Sequence, residues 1–261
     1  MKKLLLSATL VLSISILTNA QVGYFNLRLN YIDGTGAQAG KLEGGGLGLQ
    51  YEGFKSPTSK LGFIISADFN STGCEEQSID LNYNGSNTKT DVNYYSSLNK
   101  VTAGGILVPF HGRLVSPYLS MQGGVMWYRT KLVIEDPDDP SACDPLDTKN
   151  VKTSVTPVAN LESGVKVQLK RKAKKPLFLQ AAVGYNIGTR ASYIKLGDGP
   201  NDETTLPYTS KFKMGDGSIH QHSIGTMYRT RTSQLVYSVG INFYFDCRSS
   251  GTSANKNIFL E

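Results

Sequence analysis

The sequence predicts an all-β chain, an eight-stranded antiparallel up-and-down transmembrane β-barrel behind a cleaved signal peptide. Three observations predict it. Runs of about nine to eleven residues alternate apolar and polar side chains, the length and period that a tilted membrane strand requires. The connections between those runs alternate strictly between short and long. Residues 1–20 have the layout of an export signal. Composition agrees, with 27 Gly, 14 Tyr and a net charge of +6. No segment carries the unbroken apolar run that a membrane helix needs, whereas a barrel's alternating strands leave the overall composition polar.

The elements follow in chain order. Lys2 and Lys3 precede an apolar stretch from Leu4 to about Leu17 and a small-residue exit at Thr18-Asn19-Ala20, so residues 1–20 are expected to be removed. The first strand sets Phe25, Leu27, Leu29 and Tyr31 against Tyr24, Asn26, Arg28 and Asn30. The second sets Leu47, Leu49 and Tyr51 against Gly46, Gly48, Gln50 and Glu52. Leu61, Phe63, Ile65, Ala67 and Phe69 then oppose Gly62, Ser66, Asp68 and Asn70. The run Val101 to Phe110 makes a fourth strand whose facing is ambiguous. Leu119, Met121, Val125 and Trp127 oppose Ser120, Gln122, Gly124 and Tyr128, and Val155 to Leu169 opposes a face with Asn160, Glu162, Gly164, Lys166 and Gln168. Leu179, Ala181, Val183, Tyr185 and Ile187 oppose Gln180, Ala182, Gly184, Asn186 and Gly188. The last strand is the clearest: Leu235, Tyr237, Val239, Ile241, Phe243 and Phe245 form one face.

Lys55 to Ser59, His111 to Ser116 and Lys170 to Pro176 are short connections, whereas residues 71–98, 131–152 and 191–233 are long, polar and expected to be loops. Short periplasmic turns and longer outer loops characterise outer-membrane barrels. With both termini periplasmic, residues 33–40 form a short first outer loop. An immunoglobulin-like sandwich would not gather its long loops at one end. Tyr31, Tyr51, Phe69, Trp127, Tyr185, Phe243 and Phe245 supply aromatic girdles near strand ends.

The Ala20-Gln21-Val22-Gly23 start, the eight alternating runs and the closing Gly240-Ile241-Asn242-Phe243-Tyr244-Phe245 resemble the small outer-membrane β-barrel family abundant in Bacteroidota, of OmpA/OmpX-type architecture. The resemblance implies a barrel over residues 21–246, residence in the outer membrane of a Gram-negative cell envelope, and assembly by the barrel-assembly machinery with periplasmic chaperones. It implies no single activity. Proteobacterial barrels usually stop at a terminal aromatic, whereas Phe245 is followed by a polar tail, residues 247–261, expected to be a flexible periplasmic segment.

An eight-stranded barrel has an interior that side chains can fill. Arg28, Glu52, Asp68, Glu162 and Lys166 are the expected lumen charge network, with Arg190 a further candidate. Both signs are present, so pairing into a plug relieves the cost of burying either alone. Cys74 and Cys143 fall in expected outer loops and are the candidate disulfide, with Cys247 on the opposite side. His220 and His222, with Asp216, are weak candidates for a metal, but two histidines in a long loop do not make a site, so no metal and no cofactor is expected. The acidic stretch Glu135 to Asp147 lacks the spacing and glycine of an EF-hand, and the basic turn Lys170 to Lys175 reads as solvated or headgroup-facing.

Ser163-Gly164-Val165-Lys166 and Ser97-Leu98-Asn99-Lys100 match S-x-x-K without partner motifs. Ser218 with His220, His222 and Asp216 is the one cluster that a rim hydrolase would use, and it is too sparse to expect an enzyme. The expected role is therefore non-enzymatic: rigid strands anchor outer loops that serve as a recognition or envelope-structural surface for an extracellular ligand. The alternatives are a small passive pore and a soluble lipocalin-like periplasmic binding barrel. Outer-membrane lipid is the expected partner, and nucleic acid is not.

Overall fold

The computed structural model describes residues 22–56, 58–83, 86–111, 113–135, 147–169, 176–197, 207–213 and 219–246. The expected signal segment and the tail lie outside them. Among the described residues nine strands form one antiparallel sheet: β1 (Val22–Gly34), β2 (Glu43–Phe54), β3 (Leu61–Tyr83), β4 (Ser86–Leu107), β5 (Val115–Ile134), β6 (Asp147–Gln168), β7 (Leu177–Leu196), β8 (Pro207–Lys213) and β9 (Ile219–Asp246). Their order is β1-β2-β3-β4-β5-β6-β7-β9-β8, and β1 also pairs with β9 from Val22 opposite Asp246 to Gly34 opposite Gln234. Eight strands thus close a barrel, and closure removes the exposed edges of an open sheet. β8 is an addition on the outer part of β9, pairing Pro207 opposite Thr226 through Lys213 opposite Ile219.

The period of two decides which side chains turn inward. On β1, Tyr24, Asn26, Arg28, Asn30 and Ile32 are buried while Phe25, Leu27, Leu29 and Tyr31 are exposed. The same split recurs around the wall, with Leu47, Leu49, Val101, Leu119, Met121, Leu161, Val183, Val239 and Ile241 all outward. Met121 is 73% exposed within this continuous apolar band.

The strands are longer than the sequence pattern predicts. β3 has 23 residues, β4 22, β5 20, β6 22, β7 20 and β9 28, against about ten for a membrane crossing. Much of the expected loop sequence in 71–98, 131–152 and 191–233 is therefore a β-extension of the barrel wall, and Cys74 sits in β3 rather than in a loop. The β1–β2 connection stays short. Gly36 and Gly40 adopt φ of 56° and 67° there, which lets a single 3-10 turn at Gly36–Gln38 fold inward. Gln38 and Leu42 are buried as a result, and Gln38 Nε2 donates to the Tyr128 hydroxyl at 3.3 Å.

The interior is filled in layers. At the end that holds the short turns and both ends of the described barrel, Val22, Tyr24, Phe54, Ile64, Ile106, Val108, Tyr118, Phe178 and Ala182 cluster. Above the charged layer come Ile32, Leu42, Leu98, Met126, Tyr128, Val158, Ala191, Tyr193 and Val236. The extension has its own core of Ile79, Val92, Tyr94, Leu132, Ile134, Ile194 and Ile224, with Tyr208 of β8 packed against it.

Candidate functional site

The charged layer is built from alternate positions on five strands. Arg28 comes from β1, Glu52 from β2, Asp68 from β3, Lys100 from β4, and Glu162 and Lys166 from β6. These are the charged residues among the buried described ones, three cations and three carboxylates, so the lumen is formally neutral. Arg28, 1% exposed, is the hub. Its Nη2 lies 3.0 Å from Asp68 Oδ1, its Nη1 lies 2.9 Å from Glu162 Oε2, and Nη1 also donates to Gln50 Oε1 at 2.7 Å. Lys100 Nζ approaches Asp68 Oδ2 at 3.1 Å and Asn186 Oδ1 at 3.2 Å.

Glu162 is held from its other side by the Tyr118 hydroxyl, which donates at 2.8 Å and accepts from Gln180 Nε2 at 2.6 Å. Lys166 pairs with Glu52, and its ammonium lies 5.0 Å from the centre of the Tyr118 ring. Gln50 joins the two halves by donating Nε2 to Glu52 Oε1 at 2.8 Å. Arg28 can lie flat because both cross-strand neighbours are glycine: Gly48 on β2 and Gly240 on β9. A Cβ at Gly48 would come within 2.4 Å of Asp68 Oδ1, and one at Gly240 within 2.8 Å of Arg28 Cβ.

The structure brings together Arg28, Glu52, Asp68, Glu162 and Lys166, and adds Lys100, which stands just before the expected fourth run, Val101 to Phe110, and so is assigned to no face by the sequence pattern. Arg190 is not in the lumen: a bulge between Ile187 and Arg190 turns it outward, where it is exposed. Both S-x-x-K matches fail on geometry. Residues three apart on a strand point to opposite faces, so Lys166 and Lys100 are buried while Ser163 and Ser97 face outward. Cys74 is exposed, and Cys143 and Cys247 lie outside the described residues. Asp216 and Ser218 also lie outside them, as do the side chains of His220 and His222, whose backbone belongs to β9, most of the Glu135 to Asp147 stretch and all of Lys170 to Lys175. Among the described residues no group of His, Cys, Asp and Glu has an arrangement that would hold a metal ion.

The mouth at the short-turn end is closed by a histidine that the sequence reading does not single out. His111, in the β4–β5 turn, has Nδ1 2.9 Å from the Ser59 carbonyl and Nε2 3.0 Å from the Tyr24 hydroxyl. Its ring centre lies 4.5 Å from that of Phe54. Burial lowers its pKa below the ordinary histidine value, with Lys166 acting in the same direction and the Ser59 carbonyl and Glu52 against it.

No protein-family model matches the chain, and no curated protein matches it in sequence. Solved structures do resemble it. Ail, the attachment invasion locus protein of Yersinia pestis, is 11% identical with a TM-score of 0.41 over 87% of this chain and 99% of its own. Neisserial surface protein A is 11% identical with a TM-score of 0.40 over 85% and 97%. A major outer membrane protein from Thermus thermophilus is 14% identical with a TM-score of 0.38 over 85% and 99%.

Proposed function

We propose that the chain is a non-enzymatic integral protein of the outer membrane, a filled barrel that anchors a rigid β-extension as a recognition surface outside the cell. The observation that carries this reading is the reversal of polarity along the wall. Over the lower wall the outside is a continuous apolar band with a charged layer enclosed inside; in the extension the exposed positions become polar, as at Glu76, Asp80, Lys89 and Lys149, while the inside is apolar. Only a chain that passes from lipid into water needs both arrangements on the same strands.

The filled lumen speaks against the pore, because three apolar layers and a neutral ion-pair layer occupy the axis among the described residues. The continuous outward band speaks against the soluble lipocalin-like barrel, which would expose it to water. The extension supports recognition over a purely structural role, since a barrel that only anchors itself has no use for strands about twice the membrane span.

Cell fractionation with an unheated against boiled gel-mobility comparison, followed by protease treatment of whole cells, tests the reading. Recovery in the outer membrane, a heat-dependent mobility shift and cleavage between β3 and β4 or between β7 and β8 are expected. A detergent-free periplasmic protein would overturn it, and conductance across planar bilayers would restore the pore.

A further inference from the structure

The outward side of β7 runs Leu179, Ala181, Val183, Tyr185 and Ile187, and unbroken alternation would send Arg190 into the lumen. The bulge prevents this. Ile187 is opposite Ser233 and Arg190 opposite Arg231, so β7 spends one more residue than β9 over the same distance and its facing changes. Arg190 and Arg231 therefore stand side by side, both exposed, as the first charges above the apolar band on their strands. No carboxylate among the described residues pairs with either. Like charges directly opposite each other destabilise a sheet, and a bulge interrupts its ladder, so this arrangement works against the stability of the wall twice over.

The surroundings fit an anion with an apolar tail. The β6–β7 ladder stops at Val158 opposite Gly188, leaving a shallow outward depression of ≈ 570 Å³ whose lining includes Pro157, Ala159, Ile187, Thr189 and both arginines. One step toward the membrane, the Tyr185 and Ser233 hydroxyls lie 2.7 Å apart, and Ser233 Oγ lies 2.7 Å from Thr35 Oγ1. Guanidinium groups bind phosphate through paired N–H donors, and a cross-strand pair offers two such forks to one headgroup.

We propose that Arg190 and Arg231 grip the phosphate of an outer-leaflet lipid headgroup while its acyl chain lies against Ile187, Ala159 and Pro157. The inference rests on the membrane reading above and names the lipid chemistry of that barrel's rim. A lipid rather than a soluble phosphate is the occupant, because the arginines sit on the outside wall directly above the apolar band.

The test uses the purified full chain in nanodiscs of phosphatidylcholine doped with phosphatidic acid, with the lipids that stay bound counted by native mass spectrometry. Wild-type protein should retain phosphatidic acid in preference to phosphatidylcholine. Two interfacial arginines at about 1 kcal/mol each predict that Arg190→Gln with Arg231→Gln weakens the preference roughly 25-fold. Lys131→Gln on β5 should leave it unchanged, and added inorganic phosphate should not displace the lipid. Both arginines are exposed, so the variant should keep its heat-dependent mobility; if it does not, Arg231→Gln alone is measured and should lose roughly fivefold. Equal retention by wild type and variant, or release by inorganic phosphate, overturns the inference while leaving the barrel in its membrane. A chain that does not enter nanodiscs at all overturns the membrane reading first.

Discussion

The two halves of β4 show the molecule's organisation in one strand. In its lower half the inward residues include Lys100 and Thr102 beside the apolar Leu98 and Ile106, and the outward ones are Val101 and Leu107; in the extension Val92 and Tyr94 point inward while Lys89 is exposed. The backbone is continuous, paired with β3 along its length and with β5 from Val92 to Leu107. On the membrane reading proposed above, what changes is the medium outside. In lipid the outward apolar side chain gains nothing by burial, so the interior can hold polar groups beside apolar ones, provided that the polar groups satisfy one another. In water the hydrophobic effect reclaims the interior. The two halves are thus held by different forces, and they should fail differently.

The largest difference should come from Asp68→Ala. The substitution leaves Arg28 and Lys100 buried near each other without the carboxylate between them, and breaking a buried pair this way costs about 3–5 kcal/mol. Urea unfolding from phospholipid vesicles, read by fluorescence of the single tryptophan, Trp127, should show the whole barrel destabilised. An unchanged midpoint would mean that the ion-pair layer does not hold the membrane half together.

Leu132→Ala probes the other half. It removes a side chain 1% exposed from the extension core, at a cost of about 2–5 kcal/mol. Because the membrane half does not share that core, the loss should appear as faster proteolysis of the extension with little change in the Trp127 transition. If both signals shift together, the two halves form one cooperative unit and the contrast between them is only compositional. Gly48→Val comes next, at about 1–3 kcal/mol, since its side chain would crowd Asp68 and Arg28 from the β2 side. A variant of wild-type stability there would show that the charged layer has slack.

The same contrast explains what can be read from the chain alone. The membrane half is legible because both faces alternate strongly: Leu235 to Phe245 cannot be mistaken for a loop. The extension is not, since strands such as Glu75-Glu76-Gln77-Ser78 carry polar residues at successive positions and resemble solvated loop, and only scattered residues such as Ile79 or Tyr94 mark its core. Lys100 escapes the pattern because it stands just before the expected fourth run, yet a signal exists. Arg28 and Lys166 against Glu52, Asp68 and Glu162 leave one negative charge over, and a buried layer demands its cation. Arg190 takes that place in the alternation because a bulge has no signature in the residues on either side of it.

The smallest expected effect lies at the short-turn mouth, where neither force dominates. The Ser59 carbonyl accepts only, so His111 Nδ1 carries a proton and donates to it; Nε2 of the neutral ring is then free to accept from the Tyr24 hydroxyl. A second proton on Nε2 turns that acceptor into a donor and places a cation against the Phe54 ring and on the side of Lys166, with Glu52 the nearby carboxylate acting the other way. The folded pKa is accordingly depressed, mainly by burial. The unfolded chain then binds more protons than the folded one, so this contribution is fully present above about pH 6.5 and is lost as pH falls through the depressed value. Comparing unfolding midpoints above and below that window, His111→Leu should flatten the part of the pH slope that wild type shows there. An identical slope in both proteins would place the acid sensitivity among the carboxylates of the charged layer, and would make the mouth an extension of that layer rather than a latch between two turns.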